Sequence, residues 1–503
     1  MGHGQRYVLG VDQGTGSTKA VVMDNEARII GMSAAFSVRP HLPRAGWVEY
    51  DPWDILTSVV SAIRSALEVA GIRPADVAAC GLANQGETVI AFDRENGDPV
   101  YPAISWQDRR NSEAIAEWTG SVGEDKIRRS TGLIPDTYFS ASKIDWLLKS
   151  VPRARDLAAK GRLCAATSDT WLVRGLLGDR TCVSDASTAS RTMLFDLRSL
   201  DWESDLLAEF CVPRSVLPDV IPNDHEIGIL DQGIVGPGIR LAGLCVDQQA
   251  ALFGQGCLNP GDTKITYGTG CFMLSNIGPQ WGARAPGLLT SVGWRLGDRT
   301  DYVIDGGVYS AGSVITWLID KVGLAQSVDE IEDCVNRVDD SGGVFFIPAL
   351  SGLAAPYWLA GAQGGWHGLR LSTTRSDLIR SAVESIAFRV KDVVDAAREG
   401  GVEVRDIRVD GGLSQSEFLM QFQADLLGTR LLAFDEREAT AFGAGLLAGI
   451  AVGKWSVSDV ACLVRRTPAR EYVPDLSDSR PLELHEEWKC VLRKLCEGGE
   501  WQS

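Results

Sequence analysis

The chain opens with an apolar run, Tyr7-Val8-Leu9-Gly10-Val11, then a turn of small and polar residues from Asp12 to Thr18, then a second apolar run from Lys19 to Met23. Two short runs joined by a glycine-rich turn predict a β-hairpin. From Asp51-Pro52 onward, Ile55, Leu56, Val59, Val60, Ile63 and Leu67 recur at helical spacing until Gly71, which predicts an amphipathic helix stopped by glycine. A strand follows at Val77 to Leu82, and this alternation of strand and helix indicates an α/β fold.

The second half repeats the pattern. Lys264 to Tyr267, the turn Gly268-Thr269-Gly270, and Cys271 to Asn276 predict another hairpin. A long helix from Asp377 to Glu399 carries Leu378, Ile379, Ala382, Val383, Ile386, Val390, Val393 and Val394 on one stripe. Ile407 to Asp410 then runs into Gly411-Gly412, a strand entering a helix through a glycine turn. A chain of 503 residues exceeds what one core of about 250–300 residues fills. Two similar domains are expected, residues 1–252 and 253–503, facing each other across a cleft.

Composition narrows the function. With 45% hydrophobic and 23% charged residues and a net charge of −17, the chain suits a globular protein that nucleic acid and anionic membranes would repel. Eleven cysteines, among them Cys80, Cys164, Cys182, Cys245, Cys257 and Cys271, lie scattered without a CxxC pair, and read as buried thiols of a reducing compartment. The N-terminus has no signal-peptide pattern and no apolar run reaches the roughly 20 residues that span a bilayer. A cytoplasmic location is expected.

Phosphoryl transfer to an alcohol needs backbone donors around phosphates, an acid for Mg²⁺ and a carboxylate to receive the hydroxyl proton. The turn from Asp12 to Thr18 offers small residues and an acid, although an ordinary hairpin favours the same residues. Gly268-Thr269-Gly270 lacks an acid and suits phosphate donors only. Asp247 ends the apolar run Leu241 to Val246 and precedes a helix start, so it serves equally as a helix N-cap or as a base. Asn84-Gln85-Gly86-Glu87-Thr88, Trp106-Gln107-Asp108 and Thr137-Tyr138-Phe139 combine hydrogen-bonding groups with aromatic faces, the mixture that holds polyols.

At these residues the sequence resembles the FGGY carbohydrate kinases, and within that family the glycerol kinases, over essentially its whole length. The stretches that carry the likeness are GWVEYDP, STGLIPDTYFSASKIDWLL, SDTWLV, ASRTMLFD, DQQAALFGQ, TYGTGCFML, APYW, RVDGG and FLMQFQADLLGTR. Tyr138 to Lys149 is similar to one family signature, departing only at Ser150, and Gly364 to Glu384 to the other. The resemblance implies two ribonuclease H-like domains of the actin, Hsp70 and hexokinase type, ATP and Mg²⁺ as cofactors, a small polyol as substrate, and a homodimer or homotetramer. It implies Asp12 and Asp247 as acids that hold the metal through water, with Asp247 also the catalytic base. Gly14, Thr15, Gly16, Ser17 and Lys19 match the first phosphate loop, Thr269 and Gly270 the second, and Gly312, Thr316, Gly411, Gly412, Leu413 and Glu417 the rest of the nucleotide site. Glu87, Trp106, Tyr138, Asp247, Gln248 and Phe272 match the polyol site.

Two positions depart from the glycerol kinase pattern. Gly86 stands where those enzymes carry an arginine, which removes five donors and is expected to leave space. The acceptor is therefore expected to be glycerol, giving glycerol 3-phosphate, or a tetritol such as erythritol or threitol, unless another arginine or ordered water restores the contacts. Gly238 stands where enzymes regulated by fructose 1,6-bisphosphate carry an arginine, so that regulation is expected to be absent. A ketose or aldonate kinase is disfavoured by the aromatic wall. A nucleotide-dependent binding protein of the actin/Hsp70 type is disfavoured by Asp247, since a pure switch needs no base.

Overall fold

In the computed structural model, which describes residues 6–282, 285–434, 438–464 and 469–497, the first hairpin forms as expected. Strand β1 (Tyr7–Gln13) and β2 (Ser17–Met23) run antiparallel with Gln13 opposite Thr18. Main-chain pairing continues further into the turn than apolarity does. Asp12 is therefore a strand residue, opposite Lys19, and only Gly14, Thr15 and Gly16 form the tip.

Strand β3 (Ile29–Met32) extends the sheet antiparallel on β2, while β4 (Val77–Asn84) and β5 (Arg240–Val246) add in parallel on the far side of β1. The order is β3-β2-β1-β4-β5, with Glu226–Ile229 beyond β5. Every residue of β4 is buried, as befits a central parallel strand covered on both faces. One face carries helix Pro52–Ala70, started by the Asp51 carboxylate accepting from Trp53 N–H and stopped by Gly71 at φ 67°.

The other face carries helix Ala439–Ala451, and glycine decides how close it comes. A Cβ on Gly10 of β1 would lie 1.8 Å from Ala441 O, and one on its register partner Gly81 of β4 1.9 Å from Ala444 O. Helix Asp247–Gly254 crosses the same helix equally tightly, since a Cβ on Gly443 would lie 1.9 Å from Ala250 O. Backbone thus packs on backbone, and the elements that begin at Asp247 and Glu438 are fixed against the ends of β1 and β5.

By its internal contacts the chain divides into two units. The first holds residues 6–258, 290–302 and 438–464, and the second the remaining described residues. The boundary expected after residue 252 falls inside helix Asp247–Gly254, and a single cut does not describe the division. Periodicity could not reveal that Glu438 onward returns to the first unit, because helix Ala439–Ala451 is apolar around most of its circumference and owes its place to glycines far away in sequence.

In the second unit β6 (Thr263–Tyr267) and β7 (Cys271–Gly278) form the other hairpin. With β8 (Arg299–Val308, in this unit from Val303), β9 (Ile407–Asp410) and β10 (Leu431–Ala433), the order is β8-β7-β6-β9-β10. Strands β6, β9 and β10 are parallel, as β1, β4 and β5 are in the first sheet, and each sheet has a hairpin at its centre. Helix Arg375–Glu399 starts two residues before the expected Asp377 because Thr374 and Asp377 cap each other reciprocally. Of the six cysteines named above, five are buried and Cys182 is half-buried, and none of the six is in a disulfide. Among the described residues no helix is long and apolar enough to cross a membrane.

Candidate functional site

The tip Gly14-Thr15-Gly16 is closed by Gly14 N–H donating to Ser17 O at 3.1 Å. The N–H groups of Thr15 and Gly16 find no acceptor among the described residues, so the tip keeps main-chain donors unmatched there. Lys19, opposite Asp12 on β2, reaches Glu438 at 2.7 Å. Asp12 lies among the charges of Asp247, Glu438 and Lys19. Burial first, then Asp247 and Glu438, push its carboxyl up to about 8, against the pull of Lys19. Three acids and one lysine leave an excess of negative charge here. Among the described residues no three metal-binding side chains converge. Carboxylate oxygens such as those of Asp12 and Asp247 are the donors a hard divalent cation takes.

Asp247 is the first residue of its helix, with Val246 at the N-cap, so the expected capping role is not the one it plays. Its Oδ1 accepts from Gln248 N–H at 2.7 Å, which orients the carboxylate at the end of β5. Gln248 is half-buried beside it.

The segment Gln85–Thr88 links β4 to the strand Val89–Asp93 and is buried throughout. Glu87 has φ 58°, a left-handed conformation unusual for a side-chain-bearing residue and a form of local strain found at functional sites. Its carboxylate accepts from Arg191 Nε at 2.7 Å, both side chains being about 4% exposed. Arg191 also stacks over Tyr138 and Phe139, 5.7 and 5.6 Å from the ring centroids. Gly86 is buried, and a Cβ on it would meet Val246 Cγ2 at 2.8 Å. Val246 blocks the first atom of a side chain at position 86, and the acid next to it already has an arginine.

Trp106 and Tyr138 meet edge to face, centroids 5.5 Å apart. Trp106 Nε1 donates to Thr15 Oγ1 at 2.9 Å, and its backbone N–H to Thr88 Oγ1 at 3.2 Å. The aromatic wall is thereby tied to the hairpin tip and to the Glu87 segment. Lys143 fixes the other side of that wall, donating to Thr137 O, Tyr138 O and Phe139 O at 2.7, 2.8 and 3.0 Å. Burial lowers its ammonium to about 7, while Glu87, Asp108 and Asp136 oppose that.

The first unit thus brings together Asp12, Gly14 to Lys19, Gly86, Glu87, Trp106, Tyr138, Asp247 and Gln248. Sequence reasoning missed Arg191, Lys143 and Glu438. The first two are lone cations inside ASRTMLFD and STGLIPDTYFSASKIDWLL, and the third is an acid just before an apolar run.

The second unit gathers its own set. The N–H groups of Gly312 and Ser313 donate to Gly268 O and Thr269 O, each at 3.0 Å, which holds helix Gly312–Trp317 on the β6–β7 turn. Those of Thr269 and Gly270 have no acceptor among the described residues. Gly411, at φ 91°, packs where a Cβ would lie 2.4 Å from Tyr267 O. Gly412 and Leu413 lie in the short turn Gly412–Gln415, and Glu417 starts helix Glu417–Leu427, paired with Arg470 at 2.9 Å. Thr316 Oγ1 donates back to Gly312 O, and Phe272 on β7 lies over Gly307.

Known proteins match this chain throughout. The model of the FGGY family of carbohydrate kinases, N-terminal domain, matches residues 7–254, and that of the C-terminal domain residues 263–452. The glycerol kinase of Halorhodospira halophila is 42% identical over 493 residues, 97% of this chain and 96% of that one. Glycerol kinase 2 of Thermotoga maritima is 41% identical over 493 residues, 97% and 99% of the two chains. Among solved structures, Plasmodium falciparum glycerol kinase with ADP superposes with a TM-score of 0.91 at 31% identity, covering 97% of this chain and 98% of that one.

Proposed function

The chain belongs to the FGGY family of carbohydrate kinases, and on that premise we propose that it transfers the γ-phosphoryl group of ATP to a terminal hydroxyl of glycerol, giving glycerol 3-phosphate and ADP. The observation that carries this reading is the hydrogen bond from Trp106 to Thr15, which joins a tip with unmatched N–H donors to a wall with a buried Glu–Arg pair.

In this mechanism Glu87 and Gln248 hold the acceptor hydroxyls, and Trp106 and Tyr138 pack on its carbon chain. Asp247 receives the proton of the attacking hydroxyl as its oxygen bonds to phosphorus and the bond from phosphorus to the ADP oxygen breaks. Gly14 to Ser17, Lys19, Thr269 and Gly270 supply donors to the phosphates, and Gly312, Thr316, Gly411, Gly412, Leu413 and Glu417 flank the nucleotide. Asp12 and Asp247 would hold Mg²⁺ through water, and the ion would offset charge on the phosphate oxygens. The surplus of carboxylates around Asp12 supports that assignment.

Asp247→Asn tests the reading. Glycerol-dependent ADP release should fall by about 10²–10⁴-fold while nucleotide binding persists. Retained turnover in this variant would remove Asp247 from the role of base.

A further inference from the structure

Gly86 raises a question that its own backbone does not answer. Its φ lies outside the left-handed range, so any residue could adopt it, and glycine is not demanded by conformation. What excludes a side chain is Val246, whose Cγ2 lies 2.8 Å from where a Cβ would begin. Contacts this short are not tolerated, and neither partner can easily withdraw. Val246 is 2% exposed, β-branched and thus restricted at χ1, with its N–H bonded to Ser187 Oγ at 3.1 Å. Gly86 O accepts from Thr88 N–H at 2.7 Å, and the preceding Gln85 N–H donates to Gln13 O at 2.7 Å.

The two residues also occupy telling places. Gly86 immediately precedes Glu87, and Val246 immediately precedes Asp247. Strand register sets them side by side, since Val246 is the partner of Asn84 across β5 and β4. Val246 is thus joined in sequence to the residue that deprotonates a hydroxyl, and it touches the position joined to the residue that holds one.

We propose that Val246 is a specificity-determining residue that, by filling the space beside Gly86, closes the acceptor site to polyols one carbon longer than glycerol. The proposal rests on the reading of Glu87 and Asp247 as acceptor-site residues. Arg191 completes the arrangement by pairing with Glu87 from the chain segment 104 residues away, so the segment needs no cation at position 86.

The test compares wild type, Val246→Ala, Val246→Gly, Gly86→Ala and the double variant Gly86→Ala/Val246→Ala. Catalytic efficiency is measured by ADP release with glycerol, erythritol and threitol, together with unfolding midpoints. One methylene of pocket space discriminates by about 10–200-fold, so Val246→Gly should raise the tetritol-to-glycerol ratio of kcat/KM by that factor, and Val246→Ala by less. Gly86→Ala should lose stability and activity, and adding Val246→Ala should restore both. An active enzyme whose acceptor ratio is unchanged within twofold in Val246→Gly would overturn the proposal, as would a Gly86→Ala variant as stable and active as wild type. A wild type inactive on every polyol would instead contradict the proposed function, and the stability coupling of positions 86 and 246 would still decide whether the contact excludes a side chain.

Discussion

Arg191 Nε donates to Glu87 Oε1 at 2.7 Å, a buried ion pair that bridges 104 residues of sequence and holds an acid whose backbone is in the left-handed region. Removing one partner of such a pair leaves an uncompensated buried charge and costs about 3–5 kcal/mol. Arg191→Met should therefore lower stability to urea by that amount and raise KM for glycerol more than it lowers kcat. Arg191→Lys should recover part of both, because it restores the charge without the fork. Unfolding and steady-state kinetics on the two variants check this. A Met variant with wild-type KM would separate the pair from the acceptor.

Packing through glycine gives a second prediction. Gly81→Ala places a methyl where Ala444 O already stands, 1.9 Å away. Overpacking typically costs about 1–3 kcal/mol, and more where backbone must move, as here. Because helix Ala439–Ala451 follows directly on Glu438, the variant should also disturb the Lys19–Glu438 pair and lower kcat. Chemical denaturation and kcat in the same preparation read both effects.

Asp12 sets a pH dependence whose sign follows from its environment. Its carboxyl titrates near 8 in the folded chain and at the ordinary 3.8 when exposed. Between those values the folded state holds the extra proton, so stability is greatest below pH 4 with respect to this group and is lost as pH rises through 8. In the metal-free protein with chelator present, Asp12→Asn should remove this slope. The variant should melt higher than wild type at pH 9, and the gap should narrow steadily toward pH 4. Thermal midpoints across that range check it.

Gly238 bears on regulation. It has φ 92° and follows Pro237 in the loop after helix Gln232–Val235. An arginine there would be strained as well as absent, so the loop lacks a basic anchor for a sugar bisphosphate at that position. Initial rates should be unaffected by fructose 1,6-bisphosphate up to millimolar concentration. Saturable inhibition would contradict this.

Much of this was legible in the sequence because glycine turns and apolar spacing are local signals. Both hairpins, helix Pro52–Ala70 and the strand into Gly411-Gly412 follow from neighbours a few residues apart. What stayed hidden depends on sheet register and on chain crossings. Gly81 faces Gly10 only once β4 pairs with β1, and Val246 meets Gly86 only once β5 pairs with β4. Asp12 looked like a turn residue because its side chain is polar, yet the ladder extends to Gln13 regardless of polarity.

The most direct test of the whole account is the ranking of kcat/KM for purified wild-type protein with ATP and Mg²⁺ across glycerol, erythritol, threitol, pentitols and ketoses, measured by ADP release. Glycerol should rank first, with the tetritols at least about tenfold below it. A ketose or a tetritol ranking above glycerol would contradict it.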